Sequence, residues 1–133
     1  MSDDQASGRE ILHRWLTAIN HHDVDMLATL MAPAFVFVDS LGNEVQGIAK
    51  MTAGWQAYFT MCPDYWVRAN HVMADDGPTL LVAGEAGGTI DGVTWRIPSA
   101  WSAVIRHGRL WEWRVFADNK PVYEILAKRV RQA

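Results

Sequence analysis

The chain holds a single cysteine, Cys62. That excludes an intrachain disulfide framework and a thiolate metal cluster, and it fits a reducing, cytoplasmic setting. No apolar run approaches the length of a membrane span, and the first residues, MSDDQASGRE, are acidic where an export leader would be basic and then apolar. Neither membrane insertion nor secretion is expected. Positive charge is scarce as well: 12 Lys and Arg stand against 15 Asp and Glu, a net of −3. Such a chain offers no basic field for a phosphate backbone, so no nucleic-acid partner is expected, and Lys128, Arg129 and Arg131 read as a solvated helix face. No window is repeated or low in complexity, which sets aside solenoids and disorder. His13, His21, His22 and His107 fall on a helix, a helix–helix turn and a hairpin without the spacing of metal ligands, so no metal site is expected. The abundant residue is tryptophan, seven in 133. Each brings a large apolar surface and an indole N–H that wants a partner when buried.

At this length, half of it apolar, residues 1–133 make one domain with one core. Ser7 and Glu10 have capping-box spacing, and Ile11, Leu12, Trp15, Leu16 and Ile19 follow with helical period. Asp23 caps a second helix through Val24, Leu27, Leu30 and Met31, which Ala32-Pro33 ends. A strand follows in which Phe35, Phe37 and Asp39 share one face and Val36 and Val38 the other. Ser40 to Gly47 is rich in turn residues. A third helix carries Ile48, Met51, Trp55, Tyr58 and Phe59, and Pro63 stops it. Four β-rich segments come next, punctuated by DDG-P, DG and HG as in an antiparallel meander. Gly84, Gly87 and Gly88 within one strand predict bulges or bends and a curved sheet. Asp118 caps a last helix bearing Val122, Ile125, Leu126 and Val130. Helices first and a meander afterwards predict an α+β fold: a cone-shaped, curved antiparallel sheet covered by the N-terminal helices, with an internal pocket and a C-terminal helix.

The stretches RWLTAINHHDVDMLATLMAPAFVFVDSLG, QGIAKM, MCPD, GEAGGTIDG and HGRLWEWRVFAD resemble the nuclear transport factor two-like superfamily, and among its members the SnoaL-like group. The superfamily also includes ketosteroid isomerase, scytalone dehydratase and limonene epoxide hydrolase, and the resemblance spans nearly the whole chain. It implies catalysis without a cofactor in a pocket for a small lipophilic ligand. Function nevertheless has to be argued from the site, because this fold hosts many chemistries.

Resemblance to ketosteroid isomerase places Asp39 at the general base. A carboxylate among aromatic residues at the mouth of an apolar pocket loses hydration and can shuttle a proton between carbons of an enolisable substrate. The competing reading is a turn anchor for Ser40 to Gly42. The isomerase's three acidic donors fall on Trp15, Trp55 and Trp101, whose indoles donate hydrogen bonds but transfer no proton. Steroid isomerisation is therefore not implied; the three are either core aromatics or the walls of a flat pocket, with one indole N–H polarising a carbonyl.

Asp118 falls where SnoaL-like cyclases carry a proton-transferring aspartate, with the helix cap as its rival role. The limonene epoxide hydrolase triad is missing, since Val115 replaces a carboxylate and the strand of Gly84 to Gly88 lacks the Arg-x-Asp pair. His71 is a further acid or base candidate, and Glu85 a partner for Asp39, if their strands turn these side chains inward. Phe37, Tyr58 and Trp113 complete the expected lining. Trp66 and Trp111 on the outer sheet face predict a homodimer. The expected activity is proton transfer on a cyclic carbonyl compound, of isomerase, cyclase or dehydratase type. The alternative is a binding or interaction module of the same fold.

Overall fold

A computed structural model describes residues 2–132, with side chains from 8 to 129. Helix α1 runs Ser2–Asn20 and α2 Val24–Leu30; then come β1 (Met31–Val38), β2 (Glu44–Gln46) and α3 (Ile48–Met61). The meander is β3 (Trp66–Ala74), β4 (Thr79–Ile90), β5 (Val93–Arg106) and β6 (Arg109–Ala117), and α4 (Lys120–Gln132) closes the chain. Among the described residues, no helix is long and apolar enough to cross a membrane.

The α+β architecture is as expected, with some boundaries moved. Helix α1 begins before the Ser7–Glu10 pair, so that pair is no N-terminal box; Glu10 instead bonds Arg14 one turn on, at 3.2 Å. The side chains of Ser7 and Val130 lie outside the described residues. Asp23 caps α2 by accepting from the Met26 amide at 3.1 Å. Met31 and Ala32 belong to β1 rather than to that helix, and Pro33 falls in the register shift between Met31 and Val36. The turn-rich loop after β1 contains β2, a strand of three residues that its polar composition did not reveal.

One six-stranded sheet results, in the order β2-β1-β6-β5-β4-β3, with β1 parallel to β6 and the other neighbours antiparallel. The β4–β5 and β5–β6 hairpins turn at Asp91-Gly92 and His107-Gly108, where both residues of each pair have positive φ, between 52° and 77°. Two-residue turns of that kind match the twist of paired strands and favour glycine second. The sheet bends at Gly84, where a Cβ would fall 1.7 Å from the Arg68 carbonyl oxygen. Opposite it, the β3–β4 register is broken between Ala69 and His71.

Helices α1 and α3 cover one sheet face. The core there includes Leu12, Ile19, Leu27, Phe35, Val82, Ile90 and Leu110, centred on Trp15. The Trp15 ring lies 5.8–6.0 Å from those of Phe35, Trp55 and Trp113. Burying four aromatic side chains of this size removes several hundred Å² of apolar surface, roughly 150–250 Å² each, from water.

Candidate functional site

Between α3, the sheet and α4 lies a cavity of about 290 Å³, at the small end of the roughly 300–1,000 Å³ usual for ligand pockets. Its walls are largely apolar: Phe37, Val45, Trp95, Trp101, Trp113 and Val115 come from strands, Met51, Trp55 and Met61 from α3, and Val122 and Leu126 from α4. Trp101 and Trp113 stack at 5.8 Å and 12°. This arrangement follows from the register. Trp101 pairs with Val115, and the parallel pair Val38–Arg114 puts Asp39 next to Val115 on the inner face.

Asp39 reaches the rim of the cavity and anchors its own loop as well. Oδ1 accepts from the amides of Leu41 and Asn43, both at 2.9 Å, and Oδ2 accepts from the Asn43 side-chain amide at 3.1 Å. The turn role weighed for this residue is thus present, and the same carboxylate borders the cavity. The loop fixes the carboxylate's orientation, and Oδ2, with one protein donor, keeps a lone pair for a ligand.

The other predicted site residues divide. Phe37, Trp55, Tyr58, Trp101 and Trp113 line the cavity with Asp39. Trp15 does not; it is fully buried in the core behind Trp55 and Trp113. The indole nitrogens of Trp15 and Trp55 are sealed by protein without a hydrogen-bond partner among the described residues, so neither is presented to a guest as a donor.

Asp118 is exposed, outside the cavity, and its Oδ1 accepts from the Lys120 amide at 3.0 Å at the start of α4. The N-cap position itself falls to Asn119, whose carbonyl accepts from the Tyr123 amide at 3.0 Å, so Asp118 makes a turn just ahead of the helix and is not its cap. Its neighbour Asn119 does line the cavity and donates to Ser40 Oγ at 2.9 Å, tying α4 to the Asp39 loop.

His71 is exposed and outside the cavity. The irregularity at Asn70 inserts one residue, which turns His71 onto the outer row with Ala83, Ala100 and Phe116 while Val72 and Val82 face inward. Glu85 lies on the outer face too, directly across from Arg68 and bonded to Arg96 through both oxygens, the Nη2 contact at 2.9 Å. That bond, with the charges of Arg96 and Arg68, holds the Glu85 carboxyl below its ordinary range. The predicted cluster of Glu85 with Asp39 is therefore not formed. Among the described residues, no group of three or more His, Cys, Asp and Glu is placed to hold a metal ion.

Sequence reasoning did not single out Tyr65, Trp95, Ser99, Asn119 or Tyr123, all of which line the cavity. Tyr65 sits in the connection before β3, where no periodicity assigns a face, although the aromatic run DYW was a signal. Its ring is 4.8 Å from that of Tyr58, edge on, and 6.1 Å from Trp95. Burial pushes the hydroxyls of both Tyr58 and Tyr65 well above the ordinary phenol range, so both are neutral donors at any physiological pH.

A sequence model of the SnoaL-like domain matches residues 12–113. No curated protein matches the chain. Among solved structures, the chain is similar to a candidate SnoaL-like polyketide cyclase from Jannaschia sp. CCS1, with a TM-score of 0.80 and 20% identity over 90% of this chain and 91% of the other. An LEH-like epoxide hydrolase from M. tuberculosis gives 0.79 and 15%, covering 92% and 91%. TerC, co-crystallised with polyporic acid, gives 0.79 and 16%, covering 91% and 98%. At these identities the likeness is one of fold.

Proposed function

The chain belongs to the SnoaL-like domain family, and from that premise we propose that it is a cofactor-independent enzyme moving a proton on a small lipophilic cyclic carbonyl compound, with Asp39 as the base. One observation carries this reading: a single carboxylate, held in place by its own loop, stands at the rim of an aromatic cavity of about 290 Å³. The volume equals that of roughly ten liquid waters, enough for a compact ring system. Flat indole walls suit a flat guest, and TerC, which has the same fold, was co-crystallised with a small molecule, polyporic acid.

In the proposed reaction, Asp39 Oδ2 takes a proton from a carbon conjugated to the carbonyl. The electron pair of the broken C–H bond delocalises onto the carbonyl oxygen, and the proton returns to a different carbon. Isomerisation is then complete, and a cyclase or dehydratase would divert the same enolate. Asp118, His71 and Glu85 take no part in this scheme, because none of them reaches the cavity.

A second reading, a small-molecule-binding module, is favoured by the loop's own use of three hydrogen bonds to Asp39. Deuterium exchange at the γ-carbons of isophorone, a conjugated cyclic ketone, followed by NMR, separates the two. Asp39→Asn should keep the fold and lower the enzyme-dependent exchange rate by about 100-fold or more. Asn43→Ala, which spares the carboxylate, should retain exchange within a few-fold. Equal exchange in wild type and Asp39→Asn would refute the enzymatic reading. We further propose a homodimer formed through the outer sheet face, where Met73, Leu81 and Phe116 are exposed.

A further inference from the structure

Helix α4 is flanked by two surface clefts, and they meet the cavity differently. The cleft beside the Asp39 loop shares Ser40, Ala117, Asn119 and Tyr123 with it and continues outward past Leu41 and Ala127. The cleft on the other side, which runs past Val93, Arg96 and Lys128, shares only Trp95, a buried side chain. The path to solvent that this leaves runs through the first cleft, between uncharged residues.

Three of those four do not close it by bulk. Ser40 and Ala117 are small, and Asn119 is engaged: its side-chain amide donates to Ser40 Oγ at 2.9 Å, a bar between α4 and the Asp39 loop. What remains is the ring of Tyr123, 40% exposed and yet one of the residues lining the cavity. A side chain that meets both solvent and the interior stands in the partition itself.

Tyr123 is also the least restrained of the three tyrosines. The rings of Tyr58 and Tyr65 lie 4.8 Å apart, edge on, and that of Tyr65 is 6.1 Å from Trp95. Among the described residues, Tyr123 makes no ring contact and its hydroxyl no hydrogen bond. Its backbone is fixed by contrast, the amide donating to the Asn119 carbonyl at 3.0 Å in the first turn of α4. Burial raises the Tyr58 hydroxyl, and lesser contributions from Tyr65, Cys62 and Tyr123 act in the same sense, so the Tyr123 phenol lies within electrostatic reach of α3. A helical tyrosine has two open χ1 wells, and exposed side chains exchange such wells in picoseconds to nanoseconds. Rotation about one bond thus moves the ring from the mouth toward solvent at little cost.

We propose that Tyr123 is the gate of the cavity: its ring closes the opening between α4 and the Asp39 loop, and its rotation sets which guests enter and how fast. The Asn119–Ser40 bar limits the width that this rotation opens, so flat, uncharged ring compounds pass on edge and branched ones are held back. The gate goes beyond the proposed reaction, because it governs entry whether Asp39 acts as a base or only as a contact.

The test reads entry directly and requires no tight ligand. Ser99, 8% exposed on β5, and Val115 on β6 both line the cavity, so Ser99→Cys or Val115→Cys puts a reporter thiol inside. Each protein is labelled with methyl methanethiosulfonate and with the wider benzyl methanethiosulfonate, and peptide masses give the rates at the reporter and at Cys62. Cys62 is fully buried and does not line the cavity, so its rate reports opening of the whole fold. Tyr123→Ala should raise the benzyl rate at the reporter by about tenfold or more, the factor by which a minor open state limits entry. The methyl rate should rise by less. Tyr123→Phe, which loses no protein hydrogen bond, should stay within about twofold of its parent, and Tyr123→Trp should slow the benzyl reagent. Val93→Trp, which narrows the other cleft, should leave both rates as they are.

A benzyl rate unchanged by Tyr123→Ala at both reporters would overturn the gate, as would slowing by Val93→Trp, or no labelling at either reporter. A rise at the reporter matched by an equal rise at Cys62 would overturn it too, since the variant would then loosen the fold and open no door. Isophorone exchange in Asp39→Asn decides the reaction separately. Loss of exchange there, together with a benzyl rate indifferent to Tyr123→Ala, would keep Asp39 as base and discard the gate.

Discussion

Gly88 sits on the inner face of β4, paired with Trp95, and a Cβ placed there would lie 2.3 Å from Cys62 Sγ, 3.2 Å from Asp64 Oδ1 and 3.3 Å from Tyr65 Cα. Optimal contacts between such atoms are about 3.5–4.0 Å, so the sulfur has to retreat by more than 1 Å. It has nowhere to go, because Cys62 is fully buried and Asp64 is pinned to Thr89. Overpacking of this kind costs about 1–3 kcal/mol, and replacing a strand glycine by alanine recovers about 0.5–1 kcal/mol.

Gly88→Ala should therefore destabilise by about 1–2 kcal/mol, lowering Tm by roughly 3–8 °C. Cys62→Ala alone should lose about 1 kcal/mol of buried apolar contact. Because it removes the closest atom, the double variant should be no less stable than Cys62→Ala by more than about 0.5 kcal/mol, a favourable coupling of at least about 0.5 kcal/mol. Urea unfolding of the four proteins measures this cycle. Additive losses would refute the reasoning, since they would mean that the sulfur does not receive the added methyl.

Two further outcomes are expected from the same structure. Hydrogen bonds from Thr89 hold the Asp64 carboxyl below its ordinary range, so its contribution is present above the unfolded value of about 3.9 and fades as pH falls through the folded one. The stability difference between wild type and Asp64→Asn should accordingly be flat from neutrality to about pH 5 and shrink below about pH 4; a difference unchanged down to pH 2 would deny that linkage. Sedimentation equilibrium should give a dimer that Leu81→Glu and Phe116→Glu together convert to monomer, and a wild-type monomer at high micromolar concentration would remove the outer-face proposal.

Local chemistry made much of this fold readable. Asp91-Gly92 and His107-Gly108 announced their hairpins because few other pairs accept two successive positive φ angles. Alternation placed Phe37 and Asp39 on one face, and the pairing of β1 with β6 turned that face into cavity wall. Misplaced residues went wrong where a long-range event overrode the local pattern. One inserted residue at Asn70 reversed the facing of His71, whereas Glu85 follows the unbroken alternation of β4, three steps from inward Val82, to the outer face and meets Arg68 and Arg96 there. Trp15 and Trp55 have the same helical signature, yet one fills the core and the other borders the void, a distinction set by how α1 and α3 sit on the sheet. Tyr65 is positioned by His22 and flanked by residues bonded to Asn20 and Thr89, all distant in sequence.

The final helix contributes Val122 and Leu126 to the enclosure, but among the described residues its polar fastenings are few: Asn119 to Ser40, and Arg129 to Asp91 at 2.5 and 2.7 Å in an exposed pair. Most other walls belong to the sheet or to α3, with Asp39 and Ser40 from the loop after β1 and Tyr65 from the connection before β3, and shifting the sheet or α3 would rupture strand pairing or the tryptophan core. A molecule too large to slip between side chains would find its least costly entry at α4, beside the loop that aims Asp39, so that admitting a guest would also bear on how the carboxylate is held.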